Sequence, residues 1–244
     1  MIGNDFNIIT GQIELVDQNE FNPALEAVII EDWLARLQTG QGFSWSSANV
    51  GSVWFSALRN STVGRAGEYR QQITHFSANT STSVVNLGSF TSIRTAEGEI
   101  TIEGSVQVEG QTANVTNRQY WLGIQDTTTV TPNNAVLIGF NGLTGAAFWE
   151  GRTIQGGTTV TSATATTAVT NLDWVYLKIV INPASTLATF FINGAQLTTL
   201  ALNGTVLSMF PAFRMQSTSS AAATAYGINQ DFYVLRKYFT TPRF

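Results

Sequence analysis

Two carboxylates with a threonine midway between them, Glu99-x-Thr101-x-Glu103, are the first residues whose spacing suggests chemistry. On an extended strand, residues i, i+2 and i+4 share a face, so both carboxyls project to one side. A carboxylate pair of this kind is the machinery of glycoside hydrolysis, which in its retaining form needs carboxyls about 5 Å apart. Positions i and i+4 of a strand lie about 13 Å apart at the backbone, so the side chains would have to lean together. A solvated strand face is the plainer account.

Sugar binding asks instead for an aromatic platform with amides or carboxylates around it. Trp121, Trp149 and Tyr176 are the candidate rings, Glu150 and Arg152 stand near Trp149, and Glu103 is the candidate polar contact. Each ring would equally suit a sandwich core. Asp126, Asn133 and Asn134 could approach one another across a loop as oxygen donors, but their spacing matches no calcium loop, so no metal is expected. His75 is the sole histidine and has no serine or cysteine context that recommends it as a base. No catalytic residue and no cofactor is expected.

Composition narrows the classes further. Charged residues make up 11% of the 244, against roughly 25% in ordinary soluble domains, so Thr, Ser, Asn, Gln and Gly must build the surface. Lys178 and Lys237 are the only lysines and the formal net charge is -4, which leaves no basic stripe to neutralise phosphates and excludes nucleic acid. Cysteine is absent, so neither disulfides nor thiolate metal sites contribute. MIGNDFNIIT lacks the basic region and apolar core of a secretory leader, and no apolar run approaches a membrane span. The expectation is a chain made in a cytoplasm, with no membrane insertion.

The elements that would position these residues are mostly strands. Leu172–Leu200 reads as a three-strand meander: Val175, Leu177, Ile179 and Ile181 alternate, Asn182-Pro183-Ala184-Ser185 ends the first strand, and Asn193-Gly194 supplies a tight hairpin turn. Between Glu99 and Glu109, Ile100, Ile102, Val106 and Val108 fall on one face and polar residues on the other. Phe190, with these residues and with Leu177 and Ile179, is the expected core. Shorter strand signals fall from Phe43 to Leu87, from Gln119 to Ala165 and from Ala212 to Tyr238. One helix is expected from Asn22 to Gly40: Asn22 suits the cap, Pro23 the first turn, and Leu25, Val28, Ile29, Trp33, Leu34 and Leu37 recur at helical spacing.

From about Glu97 to Phe239 the chain resembles the concanavalin A-like lectin/glucanase jelly roll in its laminin-G-like variety. The resemblance is carried by Tyr120-Trp121-Leu122-Gly123-Ile124, Val136-Leu137-Ile138-Gly139-Phe140, Trp174-Val175-Tyr176-Leu177-Lys178-Ile179, Phe190-Phe191-Ile192-Asn193-Gly194 and Asp231-Phe232-Tyr233-Val234. It implies an all-β, antiparallel two-sheet sandwich, which the strand signals from Phe43 onward extend over 43–244; residues 1–42, outside the resemblance, are expected to form an arm and amphipathic helix for attachment or oligomerisation. Domains of this fold act as glycan binders, glycosidases and virion appendages. The glycosidases of the superfold place an acidic residue where Thr101 stands, which speaks against catalysis. Thr/Gly-rich, cysteine-free modules of this kind look most like those of phage tail and capsid-decorating proteins. The expectation is therefore a non-enzymatic virion structural protein, capsid decoration or tail-associated. Other virion proteins and copies of itself, a trimer favoured, would be its partners, and Leu25, Ile29, Trp33 and Leu37 its attachment face. The alternative is a glycan-binding receptor-recognition module; a polysaccharide hydrolase ranks third.

Overall fold

The computed structural model describes residues 26–31, 45–50, 53–59, 68–73, 81–87, 93–109, 118–127, 129, 131–142, 147–161, 167–170, 172–205, 207–217 and 226–241. Sixteen strands are found among them: β1 (Glu26–Glu31), β2 (Trp45–Val50), β3 (Val53–Arg59), β4 (Glu68–Ile73), β5 (Ser81–Leu87), β6 (Ile93–Arg94), β7 (Gly98–Glu109), β8 (Arg118–Gln125), β9 (Ala135–Asn141), β10 (Trp149–Gln155), β11 (Thr158–Thr161), β12 (Trp174–Ile181), β13 (Leu187–Ile192), β14 (Ala195–Ala201), β15 (Ser208–Ser217) and β16 (Tyr226–Phe239). They form two eight-stranded antiparallel sheets. Sheet A runs β14-β13-β12-β7-β16-β4-β3, with β1 also on β16, and sheet B runs β11-β10-β9-β8-β15-β5-β2, with β6 on β15.

The sheets pack face to face, as alternation requires when each strand has one apolar side. Ile100, Ile102, Val106 and Val108 of β7, Leu177 and Ile179 of β12 and Phe190 of β13 are buried, and they meet Tyr120, Leu122, Val136, Ile138, Phe140 and Phe213 of sheet B in one continuous core. The seven residues expected to form the core all lie in it. Close approach between the layers is possible because Gly151 of β10 has no side chain: a Cβ there would stand 2.5 Å from the Phe190 ring. The Tyr233 hydroxyl adds a tie across the core, donating to the carbonyl of Gly123 at 3.2 Å.

The expected turns of the meander are present. Asn193 (φ 49°) and Gly194 (φ 82°) both adopt the left-handed conformation that a tight hairpin of this kind demands. At the other turn, the Asn182 carboxamide oxygen accepts the N–H groups of Thr186 at 2.8 Å and Leu187 at 3.0 Å. That is the local bonding for which asparagine is favoured in turns.

The N-terminal helix is a correction. Residues 26–31, inside the expected span, form strand β1, paired antiparallel to β16 with Ile29 opposite Leu235. Glu26-Ala-Val-Ile-Ile-Glu31 holds three consecutive β-branched residues, which lose χ1 freedom in a helix and fit a pleated surface. Strand β16 also offers a row of backbone groups beyond β4, and satisfying them outweighs a propensity difference of a few tenths of a kcal/mol per residue. No helix occurs among the described residues. Leu25, Trp33, Leu34 and Leu37 lie outside the described residues, as does His75.

Candidate glycan-recognition face

The sequence-derived candidates are dispersed over the molecule rather than brought to one site. Trp149 lies in the core at 1% exposure, its ring meeting Phe140 edge to face at a centroid distance of 5.6 Å. Trp121 lies on the outer side of sheet B, yet is wholly buried. Its indole N–H donates to the Gln119 carboxamide at 2.9 Å, and the Arg152 guanidinium stacks 3.8 Å above its ring centroid. Arg152 in turn pairs with Glu150 at 3.1 Å. Burial is the larger influence on both: it raises the Glu150 pKa and lowers that of Arg152, against their mutual attraction. Burial, followed by the charge of Arg152, brings Arg214 down to about 9. With Trp121 enclosed and Arg214 at 3% exposure, the described residues of this part of sheet B present no ring on which a sugar could stack.

The acidic and loop candidates resolve differently. Glu99 and Glu103 stand two register rows apart on β7, the first opposite Tyr238 and the second between Val234 and Lys178. Glu103 is held by the Lys178 ammonium at 3.0 Å, so the two carboxyls do not converge on one scissile bond. Asp126, Asn133 and Asn134 do come together, but to close a loop rather than to present oxygens to a cation. Asn134 Nδ2 donates to Asp126 Oδ2 at 2.8 Å, the Asn134 side-chain oxygen accepts the Gly156 N–H at 3.1 Å, and the Asn133 carbonyl accepts that of Gly157 at 2.8 Å. Among the described residues no three His, Cys, Asp or Glu side chains are placed to hold a metal.

The outer face of sheet A is where aromatic and polar side chains gather within reach of solvent. Strand β12 alternates half-buried and buried positions throughout, which puts Trp174, Tyr176 and Lys178 outside and Val175, Leu177 and Ile179 inside. In register, Tyr176 lies beside Ser105, and Ser105 beside Phe232 of β16. The two rings, both half-buried, approach to a centroid distance of 6.2 Å at an interplanar angle of 42° over the buried Ser105. Burial first, then the hydrogen bond and charge of Glu103, raise the Tyr176 phenol above its ordinary pKa.

Amides line the next row, where Trp174 stands beside Gln107 and Gln107 beside Asn229. Asn229 Nδ2 donates to Gln107 Oε1 at 2.8 Å and to Glu109 Oε2 at 3.3 Å, while Gln107 Nε2 donates to the Leu172 carbonyl at 2.7 Å. Leu172 is 56% exposed and held at φ 64°. A leucine in that conformation is strained by about 1–2 kcal/mol, and strain of this kind clusters at ligand clamps. At the same end of the strand, on its β13 side, the Asn193 side chain accepts the Tyr176 N–H at 2.9 Å, and the Asn193 N–H donates to the Tyr176 carbonyl at 2.8 Å. The hairpin turn therefore anchors the strand carrying the central ring.

Sequence reading named Tyr176 and Glu103 but missed Phe232, Gln107 and Asn229. The cause of the first miss is a β-bulge between Gln230 and Phe232, which inserts Asp231 and changes the side on which the following residues emerge. Strict alternation cannot register such a step.

No family model and no curated protein matches the sequence. Solved structures do match in shape. The carbohydrate recognition domain of Emp47p superposes with a TM-score of 0.58 at 10% identity, covering 91% of this chain and 99% of that one. A botulinum neurotoxin type C structure, whose subject is cell entry dependent on two ganglioside molecules, gives 0.51 at 10% identity over 89% of this chain and 48% of that one. The binding domain of Paraclostridial Mosquitocidal Protein 1 gives 0.50 at 14% identity over 83% of this chain and 46% of its own. The chain thus spans about half the length of the toxin chains it matches. With both sheets, their order and these superpositions in place, the chain has the antiparallel two-sheet jelly-roll fold that its sequence resembles.

Proposed function

We propose that the protein is a non-catalytic glycan-binding module and that the outer face of sheet A is its recognition surface. The observation that carries this reading is the Tyr176–Phe232 ring pair, set between the Gln107–Asn229 amides on one side and the Glu103–Lys178 ion pair on the other. Half-exposed rings supply an apolar platform for the C–H face of a pyranose, and fixed amides and charges select the orientation of its hydroxyls. The shape match to a carbohydrate recognition domain supports the reading at the level of fold. The separation of Glu99 and Glu103 and the commitment of Glu103 to Lys178 support the non-catalytic part of this reading.

The virion assignment expected from sequence gains no support from the compared proteins, and the glycan-binding alternative takes its place as the main reading. A printed glycan array probed with the purified chain, run beside an assay for reducing ends released from the same glycans, tests it. Binding without release is expected. Release that Glu103→Gln abolishes would make the protein a hydrolase, and a blank array would remove the reading.

A further inference from the structure

We infer that the ligand of this face is a run of consecutive sugar units within a linear glycan, rather than one terminal sugar; the inference rests on the reading of the face as a glycan surface. The rings extend beyond the central pair. Phe191 of β13 alternates outward, half-buried, between the core residues Phe190 and Ile192, and pairs in register with Lys178. It therefore stands one row beyond Tyr176, while Trp174, also half-buried, stands one row before it. Successive outward positions of a strand are about 7 Å apart, so the rows of Trp174 and Lys178 are separated by about 13 Å. No single pyranose spans that tract.

The central pair points the same way. A sugar held between two rings needs a contact distance of about 3.5–4.0 Å on each side, about 7–8 Å in all, and the centroids of Tyr176 and Phe232 are 6.2 Å apart. The sugar must lie over the rings, not between them. Their planes are inclined by 42°, so one flat C–H face cannot rest on both, whereas two successive units, turned relative to each other, can. All four ring-bearing residues lie within strands β12, β13 and β16 rather than in loops. They form a surface along which a chain is laid, where a lone terminal sugar calls for a concave socket that encloses it.

The test titrates the full chain, by calorimetry, with β-1,3- and β-1,4-linked oligosaccharides of glucose, mannose and N-acetylglucosamine from one to six units long, beside Tyr176→Ala, Trp174→Ala and Phe191→Ala. Affinity in at least one series should rise at least ten-fold from one unit to four. Trp174→Ala and Phe191→Ala should each weaken the six-unit member at least five-fold and flatten the rise with length, and Tyr176→Ala should weaken every length. A single unit bound as tightly as six, with that binding lost in Tyr176→Ala, would overturn the inference and leave the recognition face standing. A rise with length that both flanking variants leave intact, or no binding in any series, would also overturn the inference. Glycan binding that survives Tyr176→Ala undiminished would overturn the face itself.

Discussion

At the scale of single residues, burial separates the aromatic side chains by role. Trp149 and Phe190 are core, Trp121 is enclosed beneath Arg152, and Tyr176 and Phe232 keep part of their surface in water. Phe190→Ala should cost on the order of 3 kcal/mol, the usual loss for a buried ring. A denaturant titration reading less than about 0.5 kcal/mol would place the ring outside the core. Leu172→Gly should stabilise the chain by about 0.5 kcal/mol, since relief of left-handed strain exceeds the extra entropy of a glycine in the unfolded chain; thermal denaturation checks the sign. The phenols carry a pH dependence. Tyr233 is wholly buried, and burial raises its pKa well above the ordinary value. A group raised in the folded state contributes stability that is present in full below its unfolded pKa, about 10 for tyrosine, and is lost as pH climbs through the folded value. Stability should therefore fall as pH rises above about 10. An absorbance titration near 295 nm should show phenolate from Tyr233 appearing only together with unfolding.

At the scale of elements, the strands were legible where alternation was regular and one face was wet. Strand β7 and the meander β12 to β14 can be read from period-two spacing and from Asn193-Gly194 alone. The segment at 22–40 misled because its apolar residues fit helical spacing, whereas Glu26–Glu31 is recruited by the open side of β16, a partner more than 200 positions away that no local pattern can announce. Half of the candidate face was legible on the same terms: Tyr176 and Glu103 sit on regular strands, while Phe232 reaches its row only through the bulge at Asp231. The turn and the face are coupled through Asn193. Asn193→Ala removes the acceptor for the Tyr176 N–H and places a β-carbon residue without local bonding at positive φ, so it should cost about 1–2 kcal/mol. It should also weaken glycan binding more than an equally destabilising core substitution does. Equal stability and equal affinity in the variant would uncouple the hairpin from the face.

At the scale of the whole molecule, the two sheets differ in what they offer to solvent. Sheet B turns an enclosed arrangement of Trp121, Arg152 and Arg214 outward, and sheet A turns out half-exposed rings, amides and acids. The shared core sets their spacing, and Gly151 against Phe190 is one contact on which that spacing depends. Gly151→Ala should cost about 1–3 kcal/mol through overpacking, read as a lowered denaturation midpoint. The most direct measurement of the central claim is an equilibrium titration of the best-bound array glycan against the wild type, Tyr176→Ala, Phe232→Ala and Val160→Ala. The last replaces an exposed residue on the edge strand of the other sheet. Affinity at least ten-fold weaker in both ring variants, with Val160→Ala unchanged and all four chains folded, is the result expected if the outer face of sheet A recognises glycans. Wild-type affinity in folded Tyr176→Ala and Phe232→Ala would contradict it and move the recognition surface elsewhere on the molecule.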